Sequence, residues 1–458
     1  MPASQRRHPL LPNLDQSLVS RMLQKVGASS IEELFSDIPQ NVRLKRGLKL
    51  PAGASEYEVR REVQARLGNP KSLCFLGGGV WPHYVPAAVE SITSRQEFYT
   101  SYTPYQAEVS QGMLQALFEY QSLMCDLLGM GACNSSLYDW ASAAGEAVRM
   151  AARVTGRRKA LIAGNTGPQR RAVIGTYTEP MGLELQTVSF DKRKGTIDPS
   201  DLESKLSADV ACVYFENPNY FGVIEDAIAP LIERVHGAGA LAVVGVDPIS
   251  LSLIKPPGTY GADVAVGEGQ PLGIAMNYGG PHLGIFSVND IKLARSMPGR
   301  LIGITSTVAD PSVKAFAMVL QAREQHIRRE AATSNVCTNQ SLMAVAAASY
   351  LSLLGKQGFR RLGEVVISNS HYAAQRLSRV KGVKSPLFSG AFFKEFAVSY
   401  RSANGKAVFG KLSRKGVLAG YPIQKSFGLG VEAGLYCVTE IHTREDIERL
   451  ATALEEAV

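Results

Sequence analysis

No apolar run in this 458-residue sequence approaches the roughly 20 residues needed to cross a bilayer. The opening residues MPASQRRHPLLPNLD hold only a short apolar stretch broken by prolines. A membrane span and an export signal are therefore not expected, and a cytoplasmic protein is. Cysteine is scarce: Cys74, Cys125, Cys133, Cys212, Cys337 and Cys437 form no CxxC pair, and no histidine stands at metal-ligand spacing from them. Neither a zinc site nor a redox motif is indicated, and the six read as reduced, mostly buried thiols. Concentrated charge is also missing. Lys and Arg total 49 against 41 Asp and Glu, and the excess of 8 is spread along the chain. The short clusters at Arg157, Arg158, Lys159 and at Lys192, Arg193, Lys194 lack interleaved aromatics, so they read as solvated faces and not as a nucleic-acid surface. A mildly positive surface leaves an acidic protein partner open. No internal repeat or low-complexity tract is visible.

What is present is an ordinary globular composition, 45% hydrophobic and 20% charged, on a chain too long for one core. Residues 1–70 read as a helical arm. Ser29 and Ser30 precede Glu32 and Glu33 at capping-box spacing, and Pro39 closes that helix. Ser55 with Glu58 caps a second helix, in which Val59, Val63 and Leu67 share a face before Gly68 stops it. An arm with so little apolar surface must pack on the main body or on a partner. Residues 71–310 alternate helix-period segments with the strand candidates KALIAG, LELQTVSF, DVACVYF, LAVVGVD, DVAVG and HLGIFSV. Near-continuous apolar strands of this kind predict a mostly parallel sheet covered on both faces. From about Pro311 the pattern predicts long helices through Leu377. An α+β segment follows, with strands FKEFAVSY, GVLAG and GLYCVTE and a last helix capped by Thr443 and Asp446; residues 311–458 form this helical connection and C-terminal domain. A large α/β domain flanked in this way is similar to the fold-type I pyridoxal-phosphate-dependent transferase fold.

That fold places a helix N-terminus at the cofactor phosphate, a strand-end Asp at the pyridine nitrogen, and a lysine at the Schiff base. In YDWASAAGEAVRMAA, a helix opens after Asp139 with Ser142, Ala143, Ala144 and Gly145. These small residues suit either a phosphate approach or close packing on the sheet, and both readings stand. Asp247 ends LAVVGVD before Pro248, as a pyridine partner or as a turn starter. The lysine is missing. Gln270, 23 residues beyond Asp247, stands at the Schiff-base position, and an amide cannot form an imine with the cofactor aldehyde. Lys255, before two prolines, reads as a solvated loop residue. No competent pyridoxal-phosphate site is expected in this chain, and no catalytic residue is assigned to it; Ser142, Gly145 and Asp247 would be a relic pocket.

The strings FLGGGVWPHYVPAAV (75–89), FYTSYTPYQAEVSQGMLQALFEYQ (98–121), GADVAVGEGQPLGIAMNYGGPHLGIF (261–286) and REQHIRREAATSNVCTNQSL (323–342) closely resemble the P-protein of the glycine cleavage system, glycine dehydrogenase (decarboxylating). The resemblance covers essentially the whole chain. P-proteins occur as one long chain of two homologous halves or as two shorter chains, and the length here matches the N-terminal half, subunit 1 or alpha. In the family the other half carries the Schiff-base lysine, in a string resembling HKTF, and EGQPLG with Gln270 agrees with the silent half. The resemblance implies glycine as substrate, carbon dioxide as product, and passage of the aminomethyl carbon to the lipoyl arm of H-protein. It also implies pyridoxal phosphate on the subunit 2 partner and none on this chain, in an α2β2 heteromer.

Tyr99, Tyr102, Tyr105 and Gln106 cluster around Pro104, where they either wall the partner's site or pack an internal interface. His83 and Tyr84, after Trp81 and Pro82, are open to the same two readings. Arg323, His326, Arg328 and Arg329 are spaced for a basic helix surface, solvated or docking an acidic carrier. The alternatives are a stand-alone pyridoxal-phosphate aminotransferase or decarboxylase, and a non-enzymatic scaffold subunit.

Overall fold

A computed structural model describes residues 15–67, 72–401 and 403–458. The chain divides into two compact units, Met1–Pro70 and Lys71–Val458. In the first, helix α1 (Gln16–Val26) is capped by the Asp15 carboxylate, which accepts from Ser17 N–H at 3.0 Å. The Glu33 carboxylate reaches back to Ser29 N–H at 2.7 Å while Glu33 N–H donates to the Ser30 hydroxyl at 3.3 Å. This arrangement supports only a single 3₁₀ turn, Glu32–Phe35. Helix α2 (Glu56–Arg66) opens on the full capping box of Ser55 and Glu58. None of these three helices contains a buried residue, and Val59, Val63 and Leu67 are exposed. Gly68, the expected stop, lies outside the described residues.

The second unit is built on a seven-stranded sheet. In chain order it comprises helix α3 (Gln111–Leu128), β1 (Ala132–Cys133), α4 (Trp140–Thr155), β2 (Lys159–Ala163), α5 (Pro168–Thr178), β3 (Glu184–Val188), β4 (Val210–Glu216), β5 (Leu241–Val246), β6 (Val264–Glu268) and β7 (Gly284–Val288). The strand order is β1-β7-β6-β5-β4-β2-β3. Pairs β3–β2, β2–β4, β4–β5 and β5–β6 are parallel, and only the contacts to β7 are antiparallel. All six apolar strings form strands of this sheet. Every residue of β4, β6 and β7 is buried, because helices cover both faces. Val213 and Phe215 of β4 point into a core with Leu114 and Leu117 of α3. Cys212 and Tyr214 point the other way, against Ala143, Ala147 and Ala151 of α4. The fold is therefore the fold-type I transferase architecture, a mainly parallel sheet between helical layers.

The segment from Pro311 departs from the helices expected there. Strands β8 (Leu301–Ser306) and β9 (Lys314–Val319) form an antiparallel hairpin, turned by Thr307 and Asp310. Asp310–Pro311 is a turn starter, and KAFAMV after it packs Met318 inward as part of a strand. The basic helix surface does not form either. Gln325–Arg328 makes one turn, and Arg329, at φ +51°, ends it. Arg323 sits on a separate 3₁₀ turn, its guanidinium donating to the carbonyls of Met297 and Gly299. The long helix starts only at Ser341 as α6 (Ser341–Leu377), interrupted at Gly355.

The C-terminal sheet is fully antiparallel, in the order 383–384, β10 (Glu395–Tyr400), β11 (Glu432–Cys437), 421–422. Helix α7 (Arg444–Glu455), capped by Thr443 and Asp446, buries Leu450 and Leu454 against it. Residues 73–75 also join this region. Leu73 and Cys74 pair with Val417 and Leu418, and the Phe75 carbonyl accepts from Cys437 N–H at 2.8 Å. The following stretch, 76–84, is thereby laid between the C-terminal sheet and the ends of β5 and β6.

Candidate functional site

Asp247 caps the turn that leaves β5, accepting from Ile249 N–H at 3.2 Å. Its other oxygen is 2.9 Å from Lys394 Nζ. Lys394, the residue before β10, is 1% exposed, and its ammonium lies 3.8 Å over the Trp81 ring. It also stands 3.0 Å from His83 Nε2. An ammonium can only donate, so Nε2 is the acceptor and the ring proton sits on Nδ1, which donates to Glu440 at 2.7 Å. Burial, and then the neighbouring Lys394 charge, hold the His83 pKa below the usual imidazole value. The line Asp247–Lys394–His83–Glu440 is thus a closed buried network, with neutral His83 between a cation and an anion.

Gln270 is equally committed. Its carbonyl oxygen accepts from Trp81 N–H at 3.0 Å, and its amide nitrogen donates to the Ile274 carbonyl at 2.7 Å. The start of α4 is closed by Asp139, Ser142 and Glu268 of β6. Ser142 N–H donates to Asp139 at 2.7 Å, Asp139 N–H donates to the Ser142 hydroxyl at 3.2 Å, and Trp140 N–H donates to Glu268 at 3.3 Å. Gly145 serves packing: a Cβ there would stand 2.7 Å from the Tyr177 ring of α5. Ser142, Ala143, Ala144 and Gly145 are all buried.

Aromatic rings and a second ion pair occupy the rest of the space. Arg170 of α5 is held by Glu216 at the end of β4, with Nη2 to Oε2 at 2.7 Å, and its guanidinium lies 3.9 Å over the Trp140 ring. The Trp81 and Trp140 rings stand 6.3 Å apart. What remains between Trp81, Trp140, Arg170, Asp247 and Lys394 is about 10 Å³, at or below what one water needs. These residues do not fit pyridoxal phosphate. The lysine that lines the space, Lys394, is committed to Asp247 and His83, the carboxylate thus already holds a cation, the helix N-terminus is already capped, and the ring volume is filled. Of the residues singled out in the sequence, Asp247 lines this space and Gln270 meets it through Trp81, whereas Ser142 is bonded to Asp139 and Gly145 faces Tyr177; Lys394, Trp140, Arg170, Glu216 and Glu440 were missed. The available signal was Lys394 itself, a lysine among Phe392, Phe393 and Phe396 at the mouth of an apolar strand.

The tyrosine string lies elsewhere and faces outward. Tyr99, Tyr102 and Tyr105 are 69%, 82% and 45% exposed, and Gln106 is exposed as well, while Pro104 between them is buried. The loop is braced from behind. Arg300, buried, lies 5.6 Å from the Tyr105 ring and donates to Asn339 at 3.1 Å, and His326 meets that ring edge-on. Just beyond it, the Gln111 side chain exchanges two 2.8 Å hydrogen bonds with the backbone of Phe316 in β9. His83 points inward, its side chain 2% exposed, whereas Tyr84 beside it is 63% exposed. Lys255 is exposed on its loop. Among the described residues no three His, Cys, Asp or Glu side chains gather as a metal site requires, and no helix is long and apolar enough to cross a membrane.

Comparison with known proteins decides the family. The profile of the glycine cleavage system P-protein matches residues 11–454. The chain belongs to the P-protein family. It is 48% identical over 466 residues to the probable glycine dehydrogenase (decarboxylating) subunit 1 of Staphylothermus marinus, covering 98% of both chains. The protein of the same description from Saccharolobus solfataricus is 44% identical, over 99% of this chain and 98% of that one. A solved P-protein, the inhibitor-bound glycine decarboxylase of the glycine cleavage system, superposes with a TM-score of 0.85 at 38% identity, over 99% and 100% of the two chains. The sphingosine-1-phosphate lyase of Burkholderia pseudomallei, at 12% identity and a TM-score of 0.64, shares the fold.

Two measurements follow from the site. Removing one member of a buried ion pair strands the other charge, at about 3–5 kcal/mol. Lys394→Met and Asp247→Asn should each destabilise this P-protein by that order in denaturant unfolding. The double variant should recover much of the loss, and strictly additive losses would contradict the pairing. The second measurement concerns Glu395, whose carboxyl is pushed up to about 7 by burial, against the opposing pull of Lys394 and Gly78 N–H. Below its ordinary value of 4.5 the group is protonated whether folded or not, and it carries no penalty. Between there and pH 7 the unfolded chain ionises first, so stability falls as pH rises, by up to about 1.4 kcal/mol per unit. Glu395→Gln should gain stability relative to the parent chain from pH 5 to 7.5; a pH-independent difference would contradict the assignment.

Proposed function

We propose that this chain is the subunit of a two-chain glycine decarboxylase that holds no cofactor. In this reading a homologous, lysine-bearing subunit 2 carries pyridoxal phosphate, which supplies the electron sink for decarboxylation there. Glycine loses its carboxyl group as carbon dioxide on that partner, and the aminomethyl group passes to the lipoyl arm of H-protein. The observation that carries the reading is the amide of Gln270, bonded to Trp81 and Ile274, beside a pocket already filled by Lys394, Trp81 and Trp140. A stand-alone transaminase or decarboxylase would need a free lysine and an open cavity at that place.

The contribution of this chain then lies on its surface. Tyr99, Tyr102, Tyr105 and Gln106 are the residues we assign to the partner's active site. Large exposed rings with few rotatable bonds suit an interface that must be rigid, and the bracing of Tyr105 by Arg300 supports a fixed presentation. Names of the relatives as subunit 1 support a heteromer, and α2β2 is the assembly expected. The excess of 8 positive charges suits an acidic H-protein.

Exchange of the glycine carboxyl with bicarbonate tests the proposal. It should be absent for either chain alone and appear on mixing, with H-protein raising the rate. Exchange by this chain alone would refute it. Tyr99→Ala and Tyr102→Ala should lower the exchange rate of the mixture by about tenfold or more, with unfolding of the isolated chain unchanged within about 0.5 kcal/mol because both rings are exposed. Unaltered exchange in both variants would remove the tyrosine loop from the site.

A further inference from the structure

The groups that fill the old pocket converge on one short stretch of chain. Gly78 N–H donates to Glu395 at 2.6 Å. Trp81 N–H donates to Gln270 at 3.0 Å, and the Trp81 ring lies under Lys394. The Pro82 carbonyl accepts from the Thr439 hydroxyl at 2.5 Å. His83 is clamped between Lys394 and Glu440, and Tyr84 N–H donates to the second Glu440 oxygen at 2.7 Å. Residues 75–86 form neither helix nor strand, so these side chains supply the partners that regular structure would otherwise provide. They come from three separate places: the end of β6, the start of β10 and the turn after β11. At the outer end of the clamped stretch stands Tyr84, 63% exposed.

We propose that the filled pocket is a positioning device, with Lys394 its central positioning residue. In this fold the strand-end carboxylate holds the protonated pyridine nitrogen of the cofactor; here Lys394 brings a cation of the same sign from within the chain. Neutralised by Asp247, it fixes the ring of Trp81 from above and the tautomer of His83 from the side. Glu440 passes that fixed geometry to the backbone of Tyr84. The Tyr84 ring is then a rigid surface contact for the lysine-bearing partner, which rests on the reading given above that this chain completes the partner's site. A partner-facing role falls to Tyr84, because the imidazole of His83 is consumed inside.

The test uses the two-chain complex, with Lys394→Ala, Tyr84→Ala and the double variant. Lys394→Ala removes the atoms of one n-propylammonium ion, and that ion is the probe for rescue. Backbone amide exchange over Trp81–Val85 should accelerate in Lys394→Ala, and the His83 Nε2 nitrogen resonance should move, while Tyr84→Ala changes neither. Both single variants should lower the turnover number of glycine–bicarbonate exchange roughly tenfold with the Michaelis constant for glycine nearly unchanged. The double variant should be no worse than the more severe single, and n-propylammonium should restore Lys394→Ala but not Tyr84→Ala. Mixing the parent chains should slow amide exchange at Tyr84. Unchanged turnover in Tyr84→Ala, or a loosened 81–85 stretch with full turnover, would overturn the inference. Should Lys394→Ala not assemble, Lys394→Gln, which keeps a donor toward His83, is judged on the same readouts. If the parent mixture shows no carboxyl exchange, the functional reading fails by itself. The positioning claim is then decided by the amide exchange and the His83 resonance, and no change in either would overturn it.

Discussion

The pairing of Lys394 with Asp247 is the interaction on which the rest of the interior is arranged. A fold-type I pocket is a polar cavity at the carboxyl ends of parallel strands, and leaving it empty would strand a buried carboxylate. Here the chain closes the cavity with its own side chain. The ammonium meets Asp247 at 2.9 Å, the Trp81 ring covers it, and His83 accepts its remaining reach. Such a pair adds little net stability by itself, because both charges must be taken out of water. Its effect is geometric: it leaves one arrangement for Trp81, His83 and Glu440, and every departure exposes an unpaired group.

Gln270 belongs to the same logic. A lysine there would place a second cation near Lys394 and leave Trp81 N–H without its acceptor. The amide gives what the packed pocket needs, one acceptor for Trp81 and one donor for Ile274. The interior of this P-protein subunit is therefore closed and its aromatic exterior is open. Closed polar networks fix backbone positions, whereas the tyrosines of the 99–105 loop stay exposed. Both features fit a subunit whose chemistry is carried out with a partner.

Much of this architecture is legible in the residues alone. The six apolar strings became strands because segments buried on both faces need unbroken hydrophobicity, and few arrangements besides a covered parallel sheet produce that pattern. The capping boxes at Ser55 and Thr443 were likewise readable from residues three apart. Asp247 and Gln270 could be placed near one another because β5 and β6 are neighbours in the sheet and both residues follow the ends of those strands. The β8–β9 hairpin was not legible, since its strands are half exposed and the residues of β9, KAFAMV, also suit a helix. Nor was Lys394, 147 residues beyond Asp247 in the chain. A buried lysine differs from a solvated one only by tertiary context, and the burial depends on a sheet formed from distant segments. The inward turn of His83 was hidden for the same reason.

The central claim is that this chain has already filled the place of the cofactor. Titration calorimetry of pyridoxal phosphate into the isolated chain tests it most directly. The account expects no saturable heat and no imine absorbance at any cofactor concentration below those at which surface lysines react. One equivalent bound, held covalently after borohydride by a side chain lining the pocket of Asp247, would contradict it.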